Sequence, residues 1–170
     1  FGQALVVASH RPYYLQTTNP NAILGSFSTI VNTDDGSKQS HAASMINGFI
    51  NEFIGSFVLF FAAMAMTKNY FGAEVIKYAA TGSHINAGLA VAHLALGFLV
   101  MALVTSLGGP TGPGLNPARD LGPRILHFLL PKSVLGEHKG DSKWWYAWVP
   151  VVSPILAGIV AVALYKLIYG

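Results

Sequence analysis

Residues 108–125 read GGPTGPGLNPARDLGPRI. The stretch lies between two long apolar runs, yet it is too rich in glycine, proline and charge to cross a bilayer itself. Gly and Pro disfavour regular helix, so irregular backbone is expected from Gly108 to Gly114. Asn116-Pro117 then reads as an N-cap followed by proline at the first helical position. A short helix is expected over residues 117–130, with Pro131 as its stop. Irregular backbone at membrane depth persists only where it is buried in protein or lines a water-filled cavity. An extended loop feeding a half-length helix between spans therefore points to a pore or a binding site.

Composition sets the class. Of 170 residues, 52% are hydrophobic and 10% charged, against about 25% charged in an ordinary soluble domain. This is the composition of an all-α integral membrane protein. A net charge of +3, with no basic cluster among aromatics, gives no reason to expect nucleic acid as a partner. The absence of cysteine excludes disulfides and thiolate metal sites. No Ser/His/Asp set, phosphate loop with lysine or His/Asp/Glu metal cluster is present. Gly112-Pro113-Gly114 lacks the strand–helix setting of a dinucleotide loop. No catalytic residue, cofactor or metal is expected.

Working outward, residues 1–9 are too short to span and read as the end of a helix. Residues 10–43 read as a polar connection with turn signals at Asn19-Pro20 and Asp35-Gly36, and the Asp34-Asp35 pair as a solvated turn. Residues 44–66 form the first full span, with Glu52 as its one charge. Residues 67–82 are a connection carrying Lys68, Glu74 and Lys77, and 85–107 are the second span, holding His93. The re-entrant loop and half-helix occupy 108–130. A charged loop follows at 132–143 and a last span at 144–169. That span has Trp144, Trp145, Tyr146 and Trp148 at one end and Tyr165 and Tyr169 at the other, suited to interfacial belts. Loop charges do not orient the chain, and no internal repeat of useful length is present.

Asn116-Pro117-Ala118-Arg119-Asp120, followed by Gly122-Pro123-Arg124 after a Gly-rich loop between spans, resembles the second NPA box of the aquaporin family. The Asp after the Arg, and the Gly-Pro-Arg, resemble its glycerol-facilitator (aquaglyceroporin) branch. The resemblance covers nearly all of this chain but only the second half of that fold. It implies a right-handed helix bundle, here the end of span three, spans four to six and one re-entrant NPA half-helix. The chain then reads as the C-terminal part of a longer channel domain, because one of two inverted repeats cannot close a pore alone. The resemblance also places 67–82 and the C-terminus in the cytoplasm, in a multi-pass protein of a plasma or bacterial inner membrane. It implies a homotetramer with one pore per subunit.

Spacing alone leaves two readings for Arg119. Its guanidinium lines a pore, or it forms a structural ion pair or snorkels to the interface. The resemblance assigns it to a selectivity filter with Val104, twelve residues before Asn116, and Pro113, three before it. Asn116 reads as an N-cap that can also aim its amide and the positive helix end at the lumen. In the resemblance, two such half-helices meet at the midplane and break a proton wire. The carbonyls from Thr111 through Gly112 and Gly114 to Leu115 either face permeating solute as a ladder of acceptors or bond internally in a packed turn. Leu59 lies two turns from Glu52 on one face. His93, Val100 and Val104 share another. His93 reads either as a pH-sensing lumen residue or as an interhelical histidine. Glu52 reads as a buried acid bonded to backbone amides. The resemblance sets it behind the loop as a support, with Asp120 also supporting.

Pro113 stands where glycerol facilitators often carry an aromatic, and Val104 where they usually carry glycine. The filter expected here is aliphatic and amphipathic. The function expected is passive conduction of glycerol, water and other small neutral solutes such as urea, dihydroxyacetone or a protonated hydroxy-acid, with ions and protons excluded. The rival readings are a coupled secondary transporter, disfavoured by the near absence of intramembrane acids, and a non-conducting structural protein of the same fold.

Overall fold

The computed structural model describes residues 1–70 and 87–170. The described chain is built from helices: α1 (Gly2–Gln16), α2 (Pro20–Gly25), α3 (Lys38–Met64), a π-helical continuation (Ala65–Tyr70), α4 (Ala87–Thr111), α5 (Pro117–Leu129), α6 (Lys132–Leu135) and α7 (Val149–Tyr169). Three of these, α3 with its continuation, α4 and α7, are long and apolar enough to cross a membrane.

Polarity is arranged inside out. The buried face of α3 is Ser44, Gly48, Asn51, Glu52, Gly55 and Ser56, while Ile46, Ile50, Ile54 and Val58 are exposed. Helix α7 buries Ser153, Pro154, Ala157, Ala161 and Tyr165 and exposes Ile155, Ile159 and Val162. Small inward residues let helix backbones approach closely where lipid supplies no hydrophobic drive between helices. The Ser153 hydroxyl donates to the Phe49 carbonyl across this α3–α7 seam at 2.8 Å.

Several boundaries differ from those expected. Helix α1 runs to Gln16, and α2 lies inside the stretch read as a connection; the Asn19 side chain caps α2 by accepting from Asn21 and Ala22. Helix α3 starts at Lys38 because the Ser37 hydroxyl accepts from the Ser40 N–H at 3.1 Å. The irregular backbone expected from Gly108 is instead the last turn of α4, which continues through Pro110 to Thr111. Local propensity yields there to tertiary clamps: Asn51 donates to the Leu107 carbonyl and to Thr111 Oγ1. The last span begins its helix at Val149 rather than Trp144, with Pro150 in its first turn. Tyr146 and Tyr165 are not belt residues. Tyr146 is buried against Gly48, and Tyr165 is buried with its hydroxyl donating to Asn69 at 2.6 Å. Asp34 is not in a solvated turn either, because its carboxylate is held by Lys143 at 3.2 Å and His41 at 3.3 Å. Most of the 67–82 connection, with Glu74 and Lys77, and the start of the 85–107 span lie outside the described residues.

Candidate functional site

The loop between α4 and α5 is held from behind by one carboxylate. Glu52 is fully buried. Its Oε1 accepts from the Thr111 hydroxyl at 3.0 Å and the Gly114 N–H at 2.9 Å. Its Oε2 accepts from the Leu115 N–H at 2.8 Å. The Thr111 hydroxyl has one proton; Asn51 donates to its oxygen at 2.8 Å, so that proton goes to Glu52. Held this way, Leu115 adopts φ 54°, a left-handed conformation that costs a non-glycine residue about 1–3 kcal/mol. Gly114 has no room for a side chain: a Cβ there would lie 2.9 Å from Thr29 Cγ2.

The carbonyls divide into two sets. Those of Gly109 and Pro110 accept from the side chain and backbone N–H of Asn32, and that of Thr111 accepts from Ile30. These face inward onto segment 27–32. The carbonyls of Gly112, Pro113, Gly114 and Leu115 accept no hydrogen bond among the described residues. Asn116 caps α5: its Oδ1 accepts from the Ala118 N–H at 2.9 Å, and Pro117 takes the first turn.

A cavity of about 460 Å³ opens on this loop. One side is Pro113, Gly114, Leu115, Asn116, Pro117 and Arg119; the other is Leu59, Phe60, Val100 and Val104. Polar atoms thus face an aliphatic and aromatic wall. Arg119 is exposed, and among the described residues its side chain makes one hydrogen bond, a long 3.5 Å contact from Nη1 to the Phe27 carbonyl. Most of its donors remain available to a solute.

The structure does not bring every expected residue to that wall. Thr111 is buried behind the loop. Gly112, at φ 58°, is exposed but off the cavity lining. His93 is exposed on α4, on the same helical face as Val100 and Val104, and is not among the residues that line this cavity. Ala118 lines a second groove with Gly2, Gln3 and Leu126. Phe60 is on the wall and was not expected there; no spacing rule tied it to the loop.

Asp120 and Arg124, one turn apart on α5, form a fully buried pair. Arg124 Nε donates to Oδ1 and Nη2 to Oδ2 of Asp120, each at 2.8 Å. Nη2 also donates to the Thr29 carbonyl at 2.8 Å and Nη1 to the Ser142 carbonyl at 2.6 Å. Asp120 in turn accepts from the Thr29 N–H and hydroxyl. The half-helix, segment 27–29 and the loop before α7 are stapled together. Arg124 was open to discovery from its i,i+4 spacing to Asp120; Asn51 and segment 27–29 carry no comparable signal.

Comparison with known proteins agrees with this architecture. Residues 18–165 match the family model for the major intrinsic protein. The chain is 58% identical over 190 aligned positions to a glycerol facilitator-aquaporin of Lactococcus lactis subsp. lactis, covering 99% of this chain and 66% of that protein. It is 41% identical to a glycerol uptake facilitator protein-like 5 of Lactiplantibacillus plantarum, covering 99% and 57%. It is 39% identical to a glycerol uptake facilitator protein of Bacillus subtilis, covering 92% and 47%. The chain thus spans between about half and two thirds of the length of these relatives. With the family model matched over most of its length and an all-helical fold with three helices able to cross a membrane, the chain belongs to the major intrinsic protein family.

Proposed function

We propose that this chain forms one wall of a passive channel for glycerol and other small neutral solutes, water among them, in a plasma or bacterial inner membrane. The observation that carries the reading is the two-sided cavity. Free carbonyls at Pro113–Leu115, the Asn116 cap and the Arg119 guanidinium face Leu59, Phe60, Val100 and Val104. A polyol has the matching shape, hydroxyls along one edge and carbon along the other. It exchanges water for loop carbonyls and Arg119, while its carbon edge slides along the aliphatic wall.

Arg119, Val104 and Pro113 act as the filter, with Arg119 repelling cations. Asn116 and the positive end of α5 disfavour proton passage at the cavity. Glu52 and Asp120 support the loop without touching solute. Urea, dihydroxyacetone and a protonated hydroxy-acid fit the same chemistry, because the aliphatic filter lacks an aromatic stacking wall at Pro113. No chemical step is required of the protein, which works as a channel rather than an enzyme. The exposed apolar faces suit a homotetramer in the bilayer.

The test is solute-driven volume change in proteoliposomes of the full-length protein, with Arg119→Val and Pro113→Phe beside the unaltered protein. Glycerol flux well above empty liposomes, without saturation or ion dependence, is expected. Pro113→Phe is expected to change the ranking of solutes. No flux of any solute would leave the non-conducting reading in its place.

A further inference from the structure

His127 sits in the last turn of α5, outside the three spans, and is fully buried. Its Nδ1 is 2.8 Å from the Ser142 hydroxyl. Its Nε2 is buried with no hydrogen-bond partner among the described residues. The ring meets Phe27 edge-on, centroids 5.2 Å apart at 72°. Phe27 belongs to the apolar cluster with Val7, Tyr14, Ile23 and Leu135, and its carbonyl is the group beside Arg119. One side of Phe27 thus rests on an imidazole, and its backbone faces the cavity's guanidinium.

We infer that His127 is a positioning residue for Arg119: the neutral ring, wedged against Phe27, keeps the Phe27 carbonyl at the guanidinium, and acid protonation of the ring withdraws that support and lowers conduction. The inference rests on the channel reading above. Protonation charges the ring and makes donors of both nitrogens, with Nε2 facing no acceptor among the described residues, an arrangement proteins avoid by moving the group. The surrounding charges do not compensate. Arg124 on the same helix is balanced by Asp120. The loop that brings Ser142 carries Lys139 and Asp141, which oppose each other at the ring, and Lys143, which is paired with Asp34. Helix α1 contributes Tyr14, packed on the far side of Phe27. Segment 27–29 brings no titratable side chain.

Burial pushes the His127 imidazole down to about 4, with Lys139 and Arg124 adding to the shift and Asp141 opposing it. The neutral ring is therefore the form the fold selects, present at neutral pH and lost as pH falls through about 4. Stability linked to this group follows the same sign: it is full above the ordinary histidine value of about 6.5 and declines below it as the unfolded chain takes the proton first.

The test follows glycerol flux through the full-length protein in proteoliposomes as pH is lowered, and amide hydrogen exchange of residues 27–29 under the same conditions. His127→Phe keeps the ring contact and cannot titrate; His127→Gln keeps a partner for Ser142 and also cannot titrate. Unaltered protein is expected to lose about half its flux near the group's midpoint and about tenfold one pH unit lower, with protection of 27–29 lost in parallel. Both variants are expected to show flat profiles, His127→Phe at the higher neutral-pH flux because it keeps the ring contact that His127→Gln lacks. A flat profile in the unaltered protein, or an equal decline in both variants, overturns the inference. If no solute moves at neutral pH, the channel reading fails, and acid-dependent exchange at 27–29 still decides whether His127 holds that segment.

Discussion

Arg119 and Arg124 lie five residues apart on one half-helix, about 140° apart around it, and they share almost nothing else. Arg119 is exposed and faces the cavity, and its side chain has a single long hydrogen bond among the described residues. Arg124 is fully buried, and each of its three nitrogens donates to Asp120, Thr29 or Ser142. An arginine whose donors are saturated is structural; one with donors to spare is available to a ligand. The same helix therefore presents a cavity face and a fastening face, and the contacts of the fastening face fix where the cavity face is placed.

The comparison breaks most sharply at Arg124. Arg124→Met leaves the Asp120 carboxylate buried without its cation, a change that costs about 3–5 kcal/mol. Arg119→Met, on the exposed face, strands no buried charge and is expected to leave thermal unfolding in detergent nearly unchanged while altering flux. Unfolding curves of both variants check this. Equal losses of stability would mean that the two faces are not divided as described.

The cavity-facing residues of α5 stand out in the sequence, and on the fastening face Asp120 and Arg124 do so by their spacing while their partners do not, for a physical reason. Asn116 and Pro117 declare themselves through capping chemistry and the fixed φ of proline, and the high cost of an arginine at membrane depth singles out Arg119 but leaves two readings that only the resemblance separates. Glu52 was legible because a lone acid in an apolar span needs partners, and the structure supplies Thr111, Gly114 and Leu115. Thr29 and Ser142 belong to stretches that read as polar connections. Their roles arise from contacts with a helix 91 and 18 residues away in the chain, which no local pattern encodes. The continuation of α4 through Pro110 was hidden for the same reason, because its support comes from Asn51 on another helix. His93 shares a helical face with Val100 and Val104 and is not among the residues lining the cavity, while among the described residues His127 is the histidine with a buried, unpartnered nitrogen.

Glu52→Gln sharpens the division from the other side of the loop. The neutral amide keeps the size but has one acceptor oxygen in place of two. At least one of the three donors from Thr111, Gly114 and Leu115 then faces an NH₂ group. An unsatisfied buried donor costs about 1–3 kcal/mol, less than the broken ion pair. The loss falls on the loop whose carbonyls line the cavity, so flux is expected to fall by more than stability does. Paired unfolding and flux measurements on this variant check that ratio.

At the N-terminal end of α5, Asn116→Ala removes the side chain that accepts from the Ala118 N–H, at a cost of about 1 kcal/mol. It also removes the amide at the cavity. Stability is expected to fall slightly, whereas proton leak through the reconstituted protein, read with an internal pH dye, is expected to rise. A stability loss with no change in leak would reduce Asn116 to a plain cap.

The C-terminal end of α5 gives the smallest effect and the clearest control. Lys139 reaches back from the following loop, and its ammonium donates to the carbonyls of Phe128 and Leu130. These are carbonyls of the last turn, where the helix dipole is negative and a cation is favourable by about 0.3–1 kcal/mol. Lys139→Met keeps the length and apolar stem while removing the charge and the donors. The expected loss of stability is of that order, and it is expected to shrink in high salt for unaltered protein because this contact is only partly buried. The cavity lies at the other end of the helix, so solute ranking is expected to stay the same. Unchanged ranking in Lys139→Met beside altered ranking in Pro113→Phe would confine selectivity to the loop end of α5. A changed ranking would mean that the two ends are mechanically coupled along the half-helix.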